Sequence, residues 1–419
     1  EFARRLPEQT APAMGRAPLE ELVLQACLLE EQRGKGSASP GEFLSGAPEP
    51  PPGVHVERAC AALVEIGALA EKPGGTYRLT PLGYHLSHLP MDPKVGKVLV
   101  VGCVLRCIEP ALTIAATLSA TKSPWLPHFP KKPHTRREAR EAQEALVHDG
   151  FGGEAWPSGT AKGDVVASLA AYRAWALAAV PASEAPPDKQ RRAFAETHAL
   201  DHNALREIEG LRDQFRDTLR AAGLLRPDGG GDEHGEDALL TSCALVAGLY
   251  PNVATLVRPS RDKKFRGGRL LTKDGDACRP NSNSFQSQRV RQAGEAGKDV
   301  YAVYHAKHIT LGADNSTEAR KQRHREPFLD SVNFVSRFAI LLFGGQIRVK
   351  KNALIVDDWL KFKVGDACAS NAVLLVELRK ELDNVLLKHV VKENAGSEDE
   401  QADDYCDRVI QVVRQLIKL

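Results

Sequence analysis

Apolar positions recur every three or four residues as far as about Leu225, fall into short β-type runs from Leu239 to Val364 and return to the helical period beyond, and these changes of period divide the chain. In LEELVLQACLLEE (19–31), Leu22, Ala26 or Cys27, and Leu29 keep to one helix face, and the glycine- and serine-rich RGKGSASPGEF ends the run. PEPPPG (48–53) is an extended spacer, because proline lacks the amide N–H and its ring clashes with the preceding helical turn. The helical period resumes in ERACAALVEIGALAE through Ala59, Leu63, Ile66 and Leu69, and GGTYRLT reads as a short strand behind a Gly-Gly turn. Helix, helix and strand in that order outline a winged-helix module over 18–90.

The next segment, LTPLGYHLSHLPMDPKVGKVL (79–99), reads as a corner. Thr80 is placed to cap a helix with Pro81 in its first turn, Leu82, Leu86 and Leu89 form one stripe, and Pro90 and Pro93 stop it. From Lys94 to Leu118 the chain is apolar and helix-compatible, interrupted at CIEPALT. Thr135 to Glu138 open a capping box before AREAQEALVHDG, and a further helix over 164–177 carries Tyr172 and Trp175. After PASEAPPDKQ a long helix follows. Its core stripe is Leu205, Ile208, Leu211, Phe215 and Leu219, and Arg212, Arg216 and Arg220 form a basic row.

RPDGGGDEHGED (226–237) is glycine-rich, acidic and almost free of apolar residues, so a linker is assigned to 227–238. From Leu239 to Val364 the runs are β-type: VATLVRP, GGRLLT before the Asp274-Gly275 turn, DVYAVYHAKHITL, SRFAILLFGGQIRV and DWLKFKV. About five strands point to a small barrel over 239–365. NAVLLVELRKELDNVLLKHVV then supplies an amphipathic helix with Leu378, Leu382 and Val385 inward, and a last helix completes a helical extension over 366–419. The fold class expected is multi-domain α+β.

Composition narrows the function. Apolar residues at 42% and charged residues at 26% are ordinary for a globular chain of 419 residues. The net charge is only +2, so affinity for a polyanion has to come from local patches. The sequence has no run of apolar residues long enough to span a bilayer, and EFARRLPEQT lacks the apolar core of a secretory signal. The expected location is intracellular, cytoplasm or nucleus, with the cytoplasm preferred. The eight cysteines are scattered without a CxxC, which fits reduced core thiols; Cys103 and Cys107 lie one turn apart without the histidines that would complete a zinc site.

Motifs for self-contained catalysis are missing. GxxxxGK[ST], GxSxG and HExxH do not occur, and the pairs His85/His88, His198/His202 and His305/His308 lack a third partner. The densest charge lies in Arg258, Arg261, Lys263, Lys264, Arg266, Arg269 and Lys273, seven cations in sixteen residues against Asp262 alone. With Phe265 among them between strand-like runs, they suit a loop that tracks a nucleic-acid backbone, or else a solvated surface loop. In CRPNSNSF, Asn281 and Ser282 are short donors and acceptors suited to phosphate or ribose contacts, and turn chemistry accounts for them equally well. Tyr304 with Lys307 would suit an unpaired base; a half-buried strand tyrosine is the plain alternative. Arg320, Lys321, Arg323 and Arg325, with Glu318 and Glu326 nearby, read as a solvated face.

The order of the blocks carries more than any one of them. PLEELVLQACLL, PPPGVHVERACAALVEIGAL, LTPLGYHLSHLPMDPKVGKVLVVG, CIEPALTIAATLSATKSPW, AGLYPNVATLVRP and LLFGG resemble, in sequence and in order over about 18–387, the C-terminal half of DEAH-box RNA helicases of the subgroup that includes RNA helicase A. The resemblance implies a winged helix, a helical ratchet-like domain over 91–226 and an OB-fold, packed on two RecA-like ATPase lobes. Residues 1–17 resemble the tail of the second lobe, so ATP and Mg2+ would belong to lobes absent from this chain, and the chain alone is expected not to hydrolyse ATP. It also implies an RNA strand running over a floor built by the ratchet and the OB-fold. Arg206 and Arg212 on the long helix are the cations expected to touch it, with ion pairing to Glu209 and Asp213 as the rival use. Where the family often has His-Pro-Ser-Ser, this chain reads Arg279-Pro280-Asn281-Ser282.

The expected function is therefore the RNA-binding and coupling region of an ATP-dependent RNA helicase. Its partners would be single-stranded RNA, or structured RNA with a single-stranded end, and the RecA-like lobes of the same protein. The competing expectation is a scaffold that docks activator or ribosomal proteins, for which the helix around 373–387 is the candidate surface.

Overall fold

Alternation of buried and exposed positions in the N-terminal segment resolves into three helices and a hairpin. The computed structural model describes residues 18–34, 38–126, 133–149, 163–179, 186–225, 230–257, 268–296, 300–309, 327–350, 353–363, 369–391 and 400–417. Helix α1 (Glu20–Gln32), α2 (Pro40–Ser45) and α3 (Gly53–Glu65) precede β1 (Leu69–Lys72) and β2 (Thr76–Leu79). Val56, Ala59, Cys60 and Leu63 are the buried face of α3, as the period required. The helix ends at Glu65 rather than running on through Leu69, since Gly67 takes a positive φ of 82° and Leu69 enters the hairpin opposite Leu79.

The corner at 79–99 forms as the sequence indicated. Thr80 Oγ1 accepts from the Gly83 amide at 3.0 Å at the start of α4 (Pro81–Ser87), and Asp92 accepts from the Lys94 amide at 2.8 Å at the start of α5 (Pro93–Val104). A Cβ on Gly83 would stand 2.0 Å from the Ala68 carbonyl, so α4 meets the hairpin through glycine.

Around α5 the helices α6 (Ile108–Ser119), α7 (Pro133–Asp149), α8 (Asp164–Leu177), α9 (Pro187–Thr197) and α10 (His202–Ala221) form a bundle in which α6 touches α5, α8 and α10. The run after the linker, expected as strand from Leu239, is instead helix α11 (Ala238–Leu249), capped by Asp237 and buried from Leu239 to Leu249. A continuously apolar segment carries no period, so helix and buried strand read alike. It lies against α5 through Gly248, where a Cβ would come 2.2 Å from Val98 Cγ2.

The β region begins at Val253. Strands β3 (Val253–Leu256), β4 (Leu270–Thr272), β5 (Ala277–Pro280), β6 (Tyr301–Val303), β7 (Ala306–His308), β8 (Phe328–Asp330) and β9 (Asn333–Val335) form one sheet in the order β7-β8-β5-β4-β3-β6-β9, parallel only between β5 and β8. Helix α12 (Ser287–Ala296) packs on β3 and β5. Among the described residues the sheet is open, with β7 and β9 at its edges, so the expected closed barrel is not seen. DVYAVYHAKHITL makes two strands rather than one, because the Tyr304 and His305 amides turn to the Asn252 and Asp330 carbonyls, each at 3.0 Å.

SRFAILLFGGQIRV, also read as strand, is helix α13 (Arg337–Phe343) under a Ser336 cap, followed by β10 (Ile347–Lys350). With β11 (Ala353–Val356) and β12 (Leu360–Lys363), β10 forms an antiparallel meander. Helix α14 (Ala369–Val391) buries Leu382 and Val385, with Leu378 partly buried, against α4, α5 and α13. The last helix, α15 (Glu400–Ile417), packs on α14 and α11, with Arg106 bound to Asp407 at 2.6 Å. One apolar core extends from Leu19 to Ile417, and a smaller one, with Leu270, Cys278, Val290 and Leu329, lies under the large sheet. No helix of the described residues is long and apolar enough to cross a membrane.

Candidate nucleic-acid interface

The carboxylate of Asp164 joins the bundle to the large sheet. Asp164, the first residue of α8, accepts at Oδ1 from the Ser284 hydroxyl and the Phe285 amide and at Oδ2 from the Val332 amide, each at 3.0 Å. Its own amide donates to the Val332 carbonyl at 3.0 Å, and Asn333 Oδ1 accepts from the Val165 amide at 3.1 Å. Gly163 makes this approach possible, because a Cβ there would lie 1.9 Å from Asn333 Oδ1. Burial pushes the Asp164 carboxyl up to about 6; its hydrogen bonds pull the other way, and the nearby Asp330 adds to the rise.

The same loop is held from the bundle side. The Trp125 indole N–H donates to Ser168 Oγ at 2.8 Å, its ring meets Phe285 edge-on at 4.8 Å, and the Arg140 guanidinium lies 4.6 Å from the Phe285 ring centre. Phe285 is thereby engaged by protein, leaving Ser282 and Asn283 as the exposed rim of the seam.

Arg258, Arg261, Lys263, Lys264 and Arg266 lie outside the described residues, in the β3–β4 connection, which closes with Val257 N–H donating to the Arg269 carbonyl at 2.8 Å. Arg269 is half-buried. Lys273, in the same sequence cluster, binds Glu65 at 2.5 Å and so ties α3 to the sheet. Asn281 donates to Asp330 and accepts from the Asn283 amide at 3.2 Å, the hydrogen bond of a turn. Ser282 is exposed, with a long contact of 3.4 Å to Asn281.

Tyr304 is only 6% exposed and belongs to the small core, so it offers no ring to a base; its burial pushes the phenol up to about 12. Lys307 is held by Asp274 at 2.6 Å and Asp276 at 3.0 Å. Burial opposes its charge, and the two carboxylates outweigh it, keeping the ammonium above the ordinary lysine value. Asn281, Tyr304 and Lys307 thus gather at the β5, β7 and β8 end of the sheet, each engaged by protein.

On α10 the basic row is divided. Arg212 is buried: it binds Glu109 at 2.5 Å and also Thr113, and its guanidinium lies 4.7 Å from the Tyr172 ring centre. Arg216 shares Glu109 at 2.7 Å. Burial would raise Glu109, but the two guanidinium groups hold it below its usual value. The partner expected for Arg212 was Glu209 or Asp213; Glu209 pairs with Arg191 and Asp213 with Arg216 instead. Arg206 remains 61% exposed in a loose pair with Asp188 at 3.5 Å. Arg212 therefore fastens α10 to α6, while Arg206 faces solvent.

Sequence reasoning missed Asp164, Trp125, Ser168 and Asn333. An acid beginning a helix after glycine is a visible cap signal, but its partners more than a hundred residues away leave no mark in the pattern. The described residues include no group of three or more His, Cys, Asp or Glu side chains that would hold a metal. The sequence has no GxxxxGK[ST] phosphate-binding loop.

Residues 92–167, from the start of α5 into α8, match the family described as "Helicase associated domain (HA2), ratchet-like". Over nearly its whole length the chain is similar to the C-terminal region of DEAH-box RNA helicases. Arabidopsis thaliana "DExH-box ATP-dependent RNA helicase DExH1" is 31% identical over 92% of this chain, mouse "Putative ATP-dependent RNA helicase DHX57" is 29% identical over 92%, and bovine "ATP-dependent DNA/RNA helicase DHX36" is 28% identical over 93%. The chain spans 33%, 27% and 34% of those proteins, respectively.

Proposed function

We propose that the chain is the RNA-binding and coupling C-terminal region of an ATP-dependent DEAH-box RNA helicase. In this reading 18–90 act as a winged helix, the α5–α10 bundle as the ratchet and the β3–β9 sheet as an OB-fold-like platform, with ATP and Mg2+ bound by RecA-like lobes that these residues do not supply. The observation that carries it is the Asp164 clasp, which ties the start of α8 to the sheet beside the exposed rim of 282–283, as a continuous floor would require. A floor that passes a strand along must not shear when the strand is pulled, and a carboxylate with three inter-element hydrogen bonds resists shear. The names of these relatives, two RNA helicases and one DNA/RNA helicase, support the substrate class.

The recombinant chain should bind a single-stranded oligoribonucleotide with an affinity that falls steeply between about 50 and 200 mM salt, and should show no ATP hydrolysis above background. Absent or salt-independent binding would refute the reading. A second reading, docking of activator or ribosomal proteins, draws on Val373, Leu374 and Leu387, which are 55%, 67% and 52% exposed on α14. Nuclease-resistant recovery of protein partners by a chain without RNA affinity would favour it.

A further inference from the structure

The β10–β12 meander carries a charge pattern that neither the clasp nor the α10 row explains. Its register puts Ile347, Val356 and Leu360 in one cross-strand row and Val349, Leu354 and Phe362 in the next, all on one face. Val356, Leu360, Leu354 and Phe362 of that face are buried, with Phe362 5.0 Å from Tyr301 of the large sheet, while Val349 at the outer edge of β10 is 52% exposed. By strand alternation the opposite face carries Arg348, Ile355 and Lys361 in one row and Lys350, Ala353 and Lys363 in the other. Arg348, Lys350, Lys361 and Lys363 are all exposed, so four cations stand at the corners of a patch about 7 Å by 10 Å, given two residues along a strand and two strand spacings across.

Little opposes this charge. Arg348 pairs with Asp358 at 2.8 Å, with both side chains more than 60% exposed, a contact of small energy. No ion pair among the described residues involves Lys350, Lys361 or Lys363. In a chain of net charge +2, so concentrated a field is a local feature rather than a share of a general surplus.

We infer that this face binds the sugar-phosphate backbone of double-stranded RNA, a surface distinct from the seam; the choice of RNA rests on the function proposed above. Between the cations stand Ile355, half-buried, and Ala353, 4% exposed, and none of the six side chains of this face is an aromatic ring on which to stack an unpaired base. Single-strand binding sites pair cations with stacking rings. Cations alone read a phosphate lattice without sequence, which is how a duplex backbone is held. Lysine on edge strands also deters edge-to-edge sheet pairing, a use that needs no ligand.

The test compares a short blunt-ended RNA duplex with a single strand of the same length, titrated into the chain and into a variant carrying Lys350→Gln, Lys361→Gln and Lys363→Gln. The side chains are exposed, so the variant should fold, and a Lys→Arg version at the same positions controls for shape. With each duplex phosphate contact contributing about 0.9 to the salt slope, the Gln variant should lose about 2 to 3 from that slope and at least about ten-fold in duplex affinity at 100 mM salt. The Arg version and all single-strand binding should be unchanged. Wild-type failure to bind duplex, or an unchanged slope in the Gln variant, overturns the inference, and failure to bind single strand speaks against the function proposed above. A polyglutamate peptide binding as tightly as duplex overturns it in favour of an acidic protein partner. Unchanged duplex binding with new self-association assigns the lysines to edge protection and overturns it too.

Discussion

The Asp164 clasp makes a prediction whose size follows from the structure. The carboxyl is pushed to about 6 in the fold, against about 3.9 in an unfolded chain. A carboxyl whose folded value is raised stabilises most when protonated: the contribution is complete below about pH 4 and is lost as pH rises through about 6. Two units correspond to about 3 kcal/mol, and the partial exposure of the residue reduces this to about 2 kcal/mol. Asp164→Asn removes the titration while keeping the shape. The assay is urea unfolding of wild type and variant at a series of pH values from 4 to 7.5, followed by tryptophan fluorescence. The difference between the two cancels other titrating groups, such as Asp232, which is also raised to about 6. Wild type should gain about 2 kcal/mol over the variant on going from neutral to acid pH. Parallel curves across that window would mean that the carboxylate is hydrated and the joint is open.

Other consequences are quicker to check. Arg212→Ala leaves Glu109 short of its shortest ion-pair partner, so unfolding should become easier by about 2 kcal/mol while the salt slope of RNA binding stays unchanged; a lost slope unit would make Arg212 an RNA contact after all. Gly248→Ala puts a methyl 2.2 Å from Val98 Cγ2 and 2.8 Å from the Lys94 carbonyl, and should lower stability by about 1 to 3 kcal/mol in the same unfolding assay. In native-state alkylation at pH 8, half-buried Cys406 should react first among the described cysteines. Cys60 and Cys278, each pushed by burial to about 11, and Cys27, pushed to about 12, should stay unlabelled by mass spectrometry.

Legibility followed period. Where apolar residues faced one side, as in α3, α10 and the Leu382/Val385 face of α14, the pattern located the helix and its buried residues. Where the segment is buried all round, as in α11 and α13, period vanished and helix was taken for strand. The corner at 79–99 was readable because caps and prolines act locally, through Thr80 and Asp92. The joint at Asp164 was not, since its hydrogen bonds reach residues 120 and 168 positions away.

Charge behaved differently from period, and the difference bears on the function. A sequence shows where cations are dense, whereas binding depends on where they are free. Arg212, Arg216, Lys273 and Lys307 all lie in stretches that look basic, yet carboxylates from other elements hold them: Glu109 from α6, Glu65 from α3, and Asp274 with Asp276 from the β4–β5 turn. The cations of the three-stranded meander are fewer, and in the sequence Lys361 and Lys363 count only as the polar positions of a strand, but alternation sends all four to one face while, among the described residues, the one acid paired with them sits in the turn. A strand period of two sorts charge by face as efficiently as it sorts apolar residues, so a short KxK or RxK in a strand concentrates more usable field than a longer run on a helix threaded by carboxylates. For this chain the polyanion surface is therefore to be sought where the backbone geometry separates cations from acids, at Arg206 and on the outer face of β10 and β12, rather than where lysine and arginine are most numerous.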